Sequence, residues 1–262
     1  MPKNDVINAI QNRISLRNYA EKEISQEHLD MILDCAIAAP TAGNQMLYSI
    51  IVIKDEQTKE KLSKSCDNQP FIAKAPVLLL FVADQRKWFE YYKQNGVLEF
   101  ANEKGLLFEA PQEADLILAC EDTMAAAQNA VIAAESLGIG SCYIGDIIEH
   151  YEYHRDLFHL PDYVFPLALL CLGYYKEGYE RVHRKRFDKK FVVFEETYHC
   201  LTPQEYQEMF AEHEKAYVPQ NPYGADNYAK MFYARKTGAS FSKEMARSVR
   251  VALKNWNGAL YQ

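Results

Sequence analysis

Residues 111–146 read PQEADLILACEDTMAAAQNAVIAAESLGIGSCYIGD, and the order of elements in this stretch decides the fold class. Pro111 opens a helix predicted to run to about Leu137, since proline suits a first turn and disfavours an interior one. Seven residues from Ala119 to Ala134 are alanine. The run is apolar nearly all round, which predicts a helix buried on most sides. Gly138 is its C-terminal stop. Gly140 to Ile144 is then a strand, and Gly145 with Asp146 turns the chain. A helix leading through glycine into a strand is the reverse of a dinucleotide-binding strand-to-helix turn, so Gly138-Ile-Gly140 is not such a loop. The small alanine side chains permit close approach of a second helix. Two readings follow: a core helix of one chain, or, preferred, a helix at the centre of a homodimer.

Working outward, Pro76 introduces Val77 to Ala83 (VLLLFVA), apolar throughout, as expected of a central strand covered on both faces. Ser49 to Lys54 (SIIVIK) is a second strand, followed by a polar helix to about Lys64. Nearer the start, Val6, Ile7 and Ile10 have helical spacing behind a cap at Asn4 or Asp5. Ser25 caps a further helix with Leu29, Ile32, Leu33 and Ala36 on one face, ended by Pro40. Downstream of Gly145 a helix runs through Leu157. His159-Leu-Pro161 and Pro166 bracket a loop, and Leu167 to Tyr174 is another buried strand. Residues 84–111 scatter Trp88, Phe89, Tyr91, Tyr92, Phe100 and Phe108 among polar positions, as a lid or variable insertion would. Past Glu177 to Lys190, polar and basic, the helical pattern returns after residue 200, with a break at Pro219 to Asp226. The chain therefore divides into a core over 1–200 and a helical extension of the same domain over 201–262. Strands alternate with helices without requiring a wholly parallel sheet.

The 262 residues are 48% hydrophobic and 25% charged, ordinary for a globular protein. A net charge of −7 without a Lys/Arg run makes a poor general nucleic-acid binder. Nine residues, Ala75 to Ala83, form the longest apolar run, about half of the ~18 needed to span a membrane. The polar Asn4, Asp5, Asn8, Gln11 and Asn12 stand where a signal peptide would be apolar. The six cysteines show no CxxC spacing and read as buried free thiols of a cytoplasmic protein. His150 and His154 share a helix face but lack the Glu that a zincin carries after its first His, so they read as solvated and no metal site is expected. The chain has neither a Walker loop nor a GxSxG elbow.

What remains is an anion site. Arg13, Ser15 and Arg17 alternate, and in an extended segment alternate side chains share a face. Two guanidinium groups and a hydroxyl on one face suit a phosphate. Arg181, Arg184, Lys185 and Arg186 form a second basic cluster past the last core strand.

Arg13-Ile-Ser-Leu-Arg17 followed by Tyr19 resembles the N-terminal FMN-phosphate motif of the nitroreductase family. Ala38-Ala-Pro-Thr-Ala-Gly-Asn44 is similar to the family's second flavin turn, and Asp67-Asn-Gln69 followed by Ala75-Pro76 to the segment carrying its flavin-facing Gln. Gln128 to Gly138, Gly140-Ser-Cys-Tyr-Ile-Gly145, His159-Leu-Pro161, Leu172-Gly173, Arg184-Lys-Arg186 and Arg235 to Arg247 continue the resemblance in order. They resemble the oxygen-insensitive NAD(P)H nitroreductase and NAD(P)H–flavin oxidoreductase branch. The resemblance implies an α+β fold with a central mixed β-sheet flanked by helices, an intertwined homodimer, and FMN at the dimer interface. It implies ping-pong exchange, with NADPH or NADH as donor and a nitroaromatic, a quinone or flavin as acceptor. A specialised flavoenzyme of the same fold, dehalogenase-like, and a non-enzymatic FMN-binding protein are the alternatives.

Residue by residue, the resemblance gives Arg13 and Ser15 the FMN phosphate, and Arg17 the pyrimidine edge of the ring. Thr41 matches a contact often made by Ser, and Gln69 the polar O2/N3 edge. Tyr143, Ile144, Gly145 and Asp146 match the turn whose backbone reaches the flavin, and Arg184 and Arg186 a second phosphate clamp. No side chain is expected to act as a covalent catalyst. Arg181 and Lys185 read as surface charges. Asp146 stands where glycine is frequent and brings a carboxylate to the turn.

Overall fold

Eight consecutive buried residues, Val77–Asp84, form the strand that the rest of the sheet is built on (β2). In the structure, a computed structural model that describes residues 4–256, it lies between two partners. β1 (Tyr48–Ile53) pairs with it on one side and β4 (Val164–Tyr174) on the other. β3 (Ile139–Ile144) completes the order β1-β2-β4-β3. A strand with ladder partners on both sides and helices on both faces has no solvated position, which is why its sequence shows no alternation. All four strands pair antiparallel. Parallel pairing among the described residues enters as one isolated bridge, Ser15 to Ser141, and there the sheet is mixed in that sense.

Pro166, expected in a loop, lies inside β4. The register shifts there: Phe81 faces Ala168 and Val82 faces Pro166, so one extra residue is accommodated on β4. A proline in an interior strand removes a ladder donor, and a bulge is where a sheet tolerates that loss.

The helices follow from their caps. Asn4 Oδ1 accepts from the backbone of Val6 and Ile7 to start α1 (Asp5–Asn12). Ser25 Oγ accepts from His28 N at α2 (Gln26–Ile37), and Asp55 Oδ2 from Thr58 N at α3 (Glu56–Ser65). A single turn, α4 (Pro70–Ala73), follows. The aromatic stretch without clear period forms two short helices, α5 (Arg86–Gln94) and α6 (Val97–Lys104). Trp88, Tyr91 and Tyr92 cluster along α5, with Trp88 5.7 Å from Tyr92 between ring centroids. Then come α7 (Glu113–Ser136) and α8 (Tyr151–Leu157), and past β4 α9 (Pro203–Lys215), α10 (Tyr228–Arg235) and α11 (Ser240–Trp256). The described residues fall into two compact units: one runs to Arg181 and resumes at Glu244, and the other is Val182–Lys243. Residue 200 lies within the second.

Helix α7 is not buried all round. Ala126, Ala127, Ala130 and Ala134 are fully buried against α2 and one sheet face, in a cluster with Ile32, Leu79 and Phe81. The alanines thus admit α2 and the sheet of the same chain, and Asn129 Nδ2 donates to Cys35 O of α2 at 3.1 Å. The opposite stripe, with Ile117, Leu118 and Met124, is exposed on the single chain. Of the six cysteines, all free, Cys66, Cys142 and Cys171 are buried, while Cys35 and Cys200 are exposed, which departs from the expectation of six buried thiols.

Because Ala126 has no exposed surface and large neighbours, Ala126→Leu forces extra volume into a packed layer. We expect it to cost about 1–3 kcal/mol of unfolding free energy, read from urea denaturation followed by circular dichroism.

Candidate functional site

The site is organised by the segment that leaves α1. Arg181 Nη1 donates to Asn12 O at 2.8 Å and pairs with Glu135, and its guanidinium lies 4.2 Å from the centre of the Tyr175 ring. Tyr175 Oη donates to the same Glu135 at 2.8 Å. Arg181 is therefore a half-buried anchor for the end of α1 rather than the surface charge expected. Lys185 is exposed and pairs with Glu212.

From Arg13 the chain runs extended. Leu16 N donates to Ser141 O at 2.9 Å, and Ala20 N to Tyr174 O at 2.9 Å. Leu16 is fully buried, while Ser15 and Arg17 on either side are exposed. The alternation read from the sequence is thus realised, and one face carries the hydroxyl and the cation. Two glycines permit the approach. A Cβ at Gly140 would sit 2.6 Å from Leu16 Cδ2, and one at Gly173 2.4 Å from Tyr19 Cδ1. Arg13 is half-buried, and its Nε finds no hydrogen-bond partner among the described residues.

Cys142 records how closely these groups gather. Burial pushes its thiol up, while Arg17, a hydrogen bond with Ser15, and Arg13 pull it back down, and Asp146 pushes it up again. Arg13, Ser15, Arg17 and Asp146 thus all lie near enough to Cys142 of β3 to act on its thiol. Arg17 also lies 5.7 Å over the Phe71 ring of α4. Gln69 precedes that helix, turned into place by Asp67 and Asn68, both with positive φ, a conformation Asp and Asn tolerate. Gln69 Nε2 donates to Asp146 Oδ2 at 2.8 Å and to Cys66 O at 3.0 Å.

Gly145 is exposed, and a Cβ there would meet no atom within 4 Å, so the turn is open to a close-lying ligand. Ile144 packs its side chain into the core beneath the sheet. Tyr143 packs on the other face, beside α7. Only the backbone of these two residues is offered at the turn.

Thr41 lies apart from this group. Its hydroxyl donates to Asp122 of α7 and accepts from Met46 N at 2.8 Å. Asp122, 6% exposed, also accepts from Ala42 N at 2.8 Å and Leu47 N at 3.3 Å. This carboxylate holds the 41–47 turn, and the sequence reading missed it: a lone Asp inside an apolar helix carries no motif. Trp88 Nε1 donates to Gln45 O at 2.7 Å, tying α5 to the same turn. No hydrogen bond joins the Thr41 set to the Arg13–Gln69–Asp146 set among the described residues. Arg184 and Arg186 are exposed in the second unit, between β4 and α9.

The two histidines differ from each other. His150 is exposed and faces Glu244 at 3.4 Å. His154 is fully buried rather than solvated. Its Nε2 lies 2.7 Å from Ser65 Oγ, and burial pulls its pKa down to about 4. No group of His, Cys, Asp or Glu among the described residues is arranged to hold a metal ion. None of the described helices is long and apolar enough to cross a membrane.

The Nitroreductase family pattern matches residues 10–174. An FMN reductase [NAD(P)H] of Bacillus subtilis (strain 168) is 32% identical over 195 residues, 74% of this chain and 75% of that protein. An FMN reductase (NADPH) of the same organism is 32% identical over 201 residues, 76% of each. Among solved structures, B. megaterium NfrA2 superposes with a TM-score of 0.77 at 27% identity, covering 97% of this chain and 98% of that one.

Behind the turn, Glu149 is 4% exposed and its Oε1 has no hydrogen-bond partner among the described residues. Burial first, then the Asp146 and Asp67 charges, push its pKa up to about 7. Its unfolded value is near the usual ~4.3, so between those values the folded chain holds the extra proton and stability falls as pH rises. Glu149→Gln removes this slope. We expect its unfolding free energy to gain on that of the parent from pH 5 to pH 7 and to hold a constant lead above about pH 8, measured by urea denaturation across the series.

Proposed function

This chain belongs to the nitroreductase family, and on that premise we propose that it is an FMN-dependent NAD(P)H oxidoreductase delivering electrons to small aromatic acceptors. The observation that carries the reading is the gathering of Arg13, Ser15, Arg17, Gln69 and the open Gly145 turn around the end of β3. The donor set suits FMN. Arg13 Nε lacks an internal partner, Ser15 and Arg17 are exposed beside it, and Gly145 leaves its backbone accessible. When bound, FMN supplies the redox chemistry, accepting hydride from NADPH or NADH and passing electrons onward. The relatives named as FMN reductases support that assignment.

The chain's own residues bind and orient. Arg13 and Ser15 offer charge-assisted hydrogen bonds to the phosphate. Arg17 would supply positive charge at the pyrimidine edge, favouring the reduced, anionic form of the flavin. The backbone from Tyr143 to Asp146 would hold the ring, and Gly145, where a Cβ would meet no atom within 4 Å, would permit the approach. Arg184 and Arg186 are proposed as further phosphate donors on the family resemblance. No side chain is needed as a covalent catalyst, and donor and acceptor use one slot in turn.

We place the protein in the cytoplasm, because its six cysteines are all free. We also propose a homodimer. Val6, Ile7 and Ile10 of α1 and Ile117, Leu118 and Met124 of α7 are each at least 40% exposed, a large apolar surface for a lone chain. Thr41 is proposed as a further cofactor contact on the family resemblance.

Three measurements test this. Purified protein is expected to carry about one FMN per chain by absorbance and acid release. Arg17→Ala should weaken FMN by about 1.5–3 kcal/mol, the scale of one charge-assisted contact, read by fluorescence titration. A colourless protein that takes up no added FMN overturns the reading. Met124→Asp places a charge in the exposed stripe, and light scattering at micromolar concentration should then show monomer where the parent is dimer.

A further inference from the structure

The Gln69 amide is committed in one direction. Its two N–H groups go to Asp146 Oδ2 at 2.8 Å and Cys66 O at 3.0 Å. A backbone carbonyl accepts only, and an ionised carboxylate likewise. The reversed amide would set Oε1 against two acceptors and strand both its N–H groups. With Asp146 in place the flip is therefore closed, and Oε1 is left as the only polar atom of Gln69 without a bond to a described residue. Without Asp146 one of the two restraints is gone.

We propose that Asp146 is a positioning residue that locks Gln69 as a pure acceptor, so that the site selects a ligand presenting a ring N–H donor there. This rests on the FMN reading, under which that donor is the imide N3–H of the isoalloxazine. It assigns a task to the residue that departs from the glycine frequent at this turn. The groups facing Asp146 are consistent with the role. Glu149 stands within hydrogen-bond reach of it, Cys66 and Cys142 lie nearby as thiols held protonated by burial, and Asp67 faces Glu149.

The test compares two ligands that differ only at the donor, FMN and 3-methyl-FMN, titrated into full-length protein freed of flavin and followed by flavin fluorescence. The parent should prefer FMN by about ten- to hundred-fold, the scale of leaving a buried acceptor unpaired. Asp146→Gly should lose most of that preference, because the freed amide turns away or offers an N–H. Asp146→Asn should keep it, since its Oδ1 still accepts from Gln69 while its Nδ2 donates toward Glu149. Circular dichroism confirms that each variant is folded. Equal binding of both ligands by the parent, or full discrimination by Asp146→Gly, overturns the proposal and leaves the FMN reading standing. Failure of the parent to bind either flavin overturns both.

Discussion

The packing of Leu16 and Tyr19 over two glycines is the constraint on which the site depends. Gly140 of β3 and Gly173 of β4 leave no Cβ in the path of these side chains, and the bond from Leu16 N to Ser141 O holds the segment against the sheet. With Leu16 sunk into the core, a residue on either side must face outward. Ser15 and Arg17 owe their exposure to that alternation and not to any loop. A side chain as small as alanine at residue 140 would meet Leu16 closer than real Cβ contacts occur, and the whole anion-facing row would lift with it.

The core was readable because it obeys simple periods. The unbroken apolar run at residues 77–83 belongs to a strand with neighbours on both sides, and the caps Asn4 and Ser25 lie where their side chains announce a helix start. The Arg13-Ser15-Arg17 row was legible for the same reason, since an extended chain separates faces at every second residue. What escaped were effects of tertiary partners. Asp122 lies in an alanine-rich helix and acquires its task only when the 41–47 turn folds over it. Arg181 resembles its basic neighbours in sequence and differs from them by meeting Glu135 and Asn12. Pro166 reads as a loop residue until the bulge beside Val82 is seen. Helix α5 is hard to place from sequence because its aromatic residues find their partners in distant segments: Trp88 bonds to Gln45 O, and Phe89 packs against Phe108 and Tyr163.

The site is divided in charge. Arg13 and Arg17 lie on the side of the extended segment, and Asp146, Glu149 and Asp67 on the side of the turn and α3. Burial keeps a proton on Glu149 up to about pH 7, which spares the turn a second full negative charge beside Asp146. The cationic side suits a phosphate and developing negative charge, and the carboxylate side orders the amide at Gln69. Charge on one side and hydrogen-bond direction on the other are separate devices, supplied by different elements.

The strand order also governs how the molecule comes into being. β2 ends at Asp84, and its partner β4 ends at Tyr174, ninety residues later. At roughly 5–20 residues per second, the ribosome needs about 5–20 s to deliver that partner. Through this interval β2, the most apolar strand, has β1 on one side and an open ladder on the other. Such an edge recruits strands from other chains. The topology that buries β2 so completely in the finished protein therefore makes the nascent chain most prone to aggregation midway through synthesis.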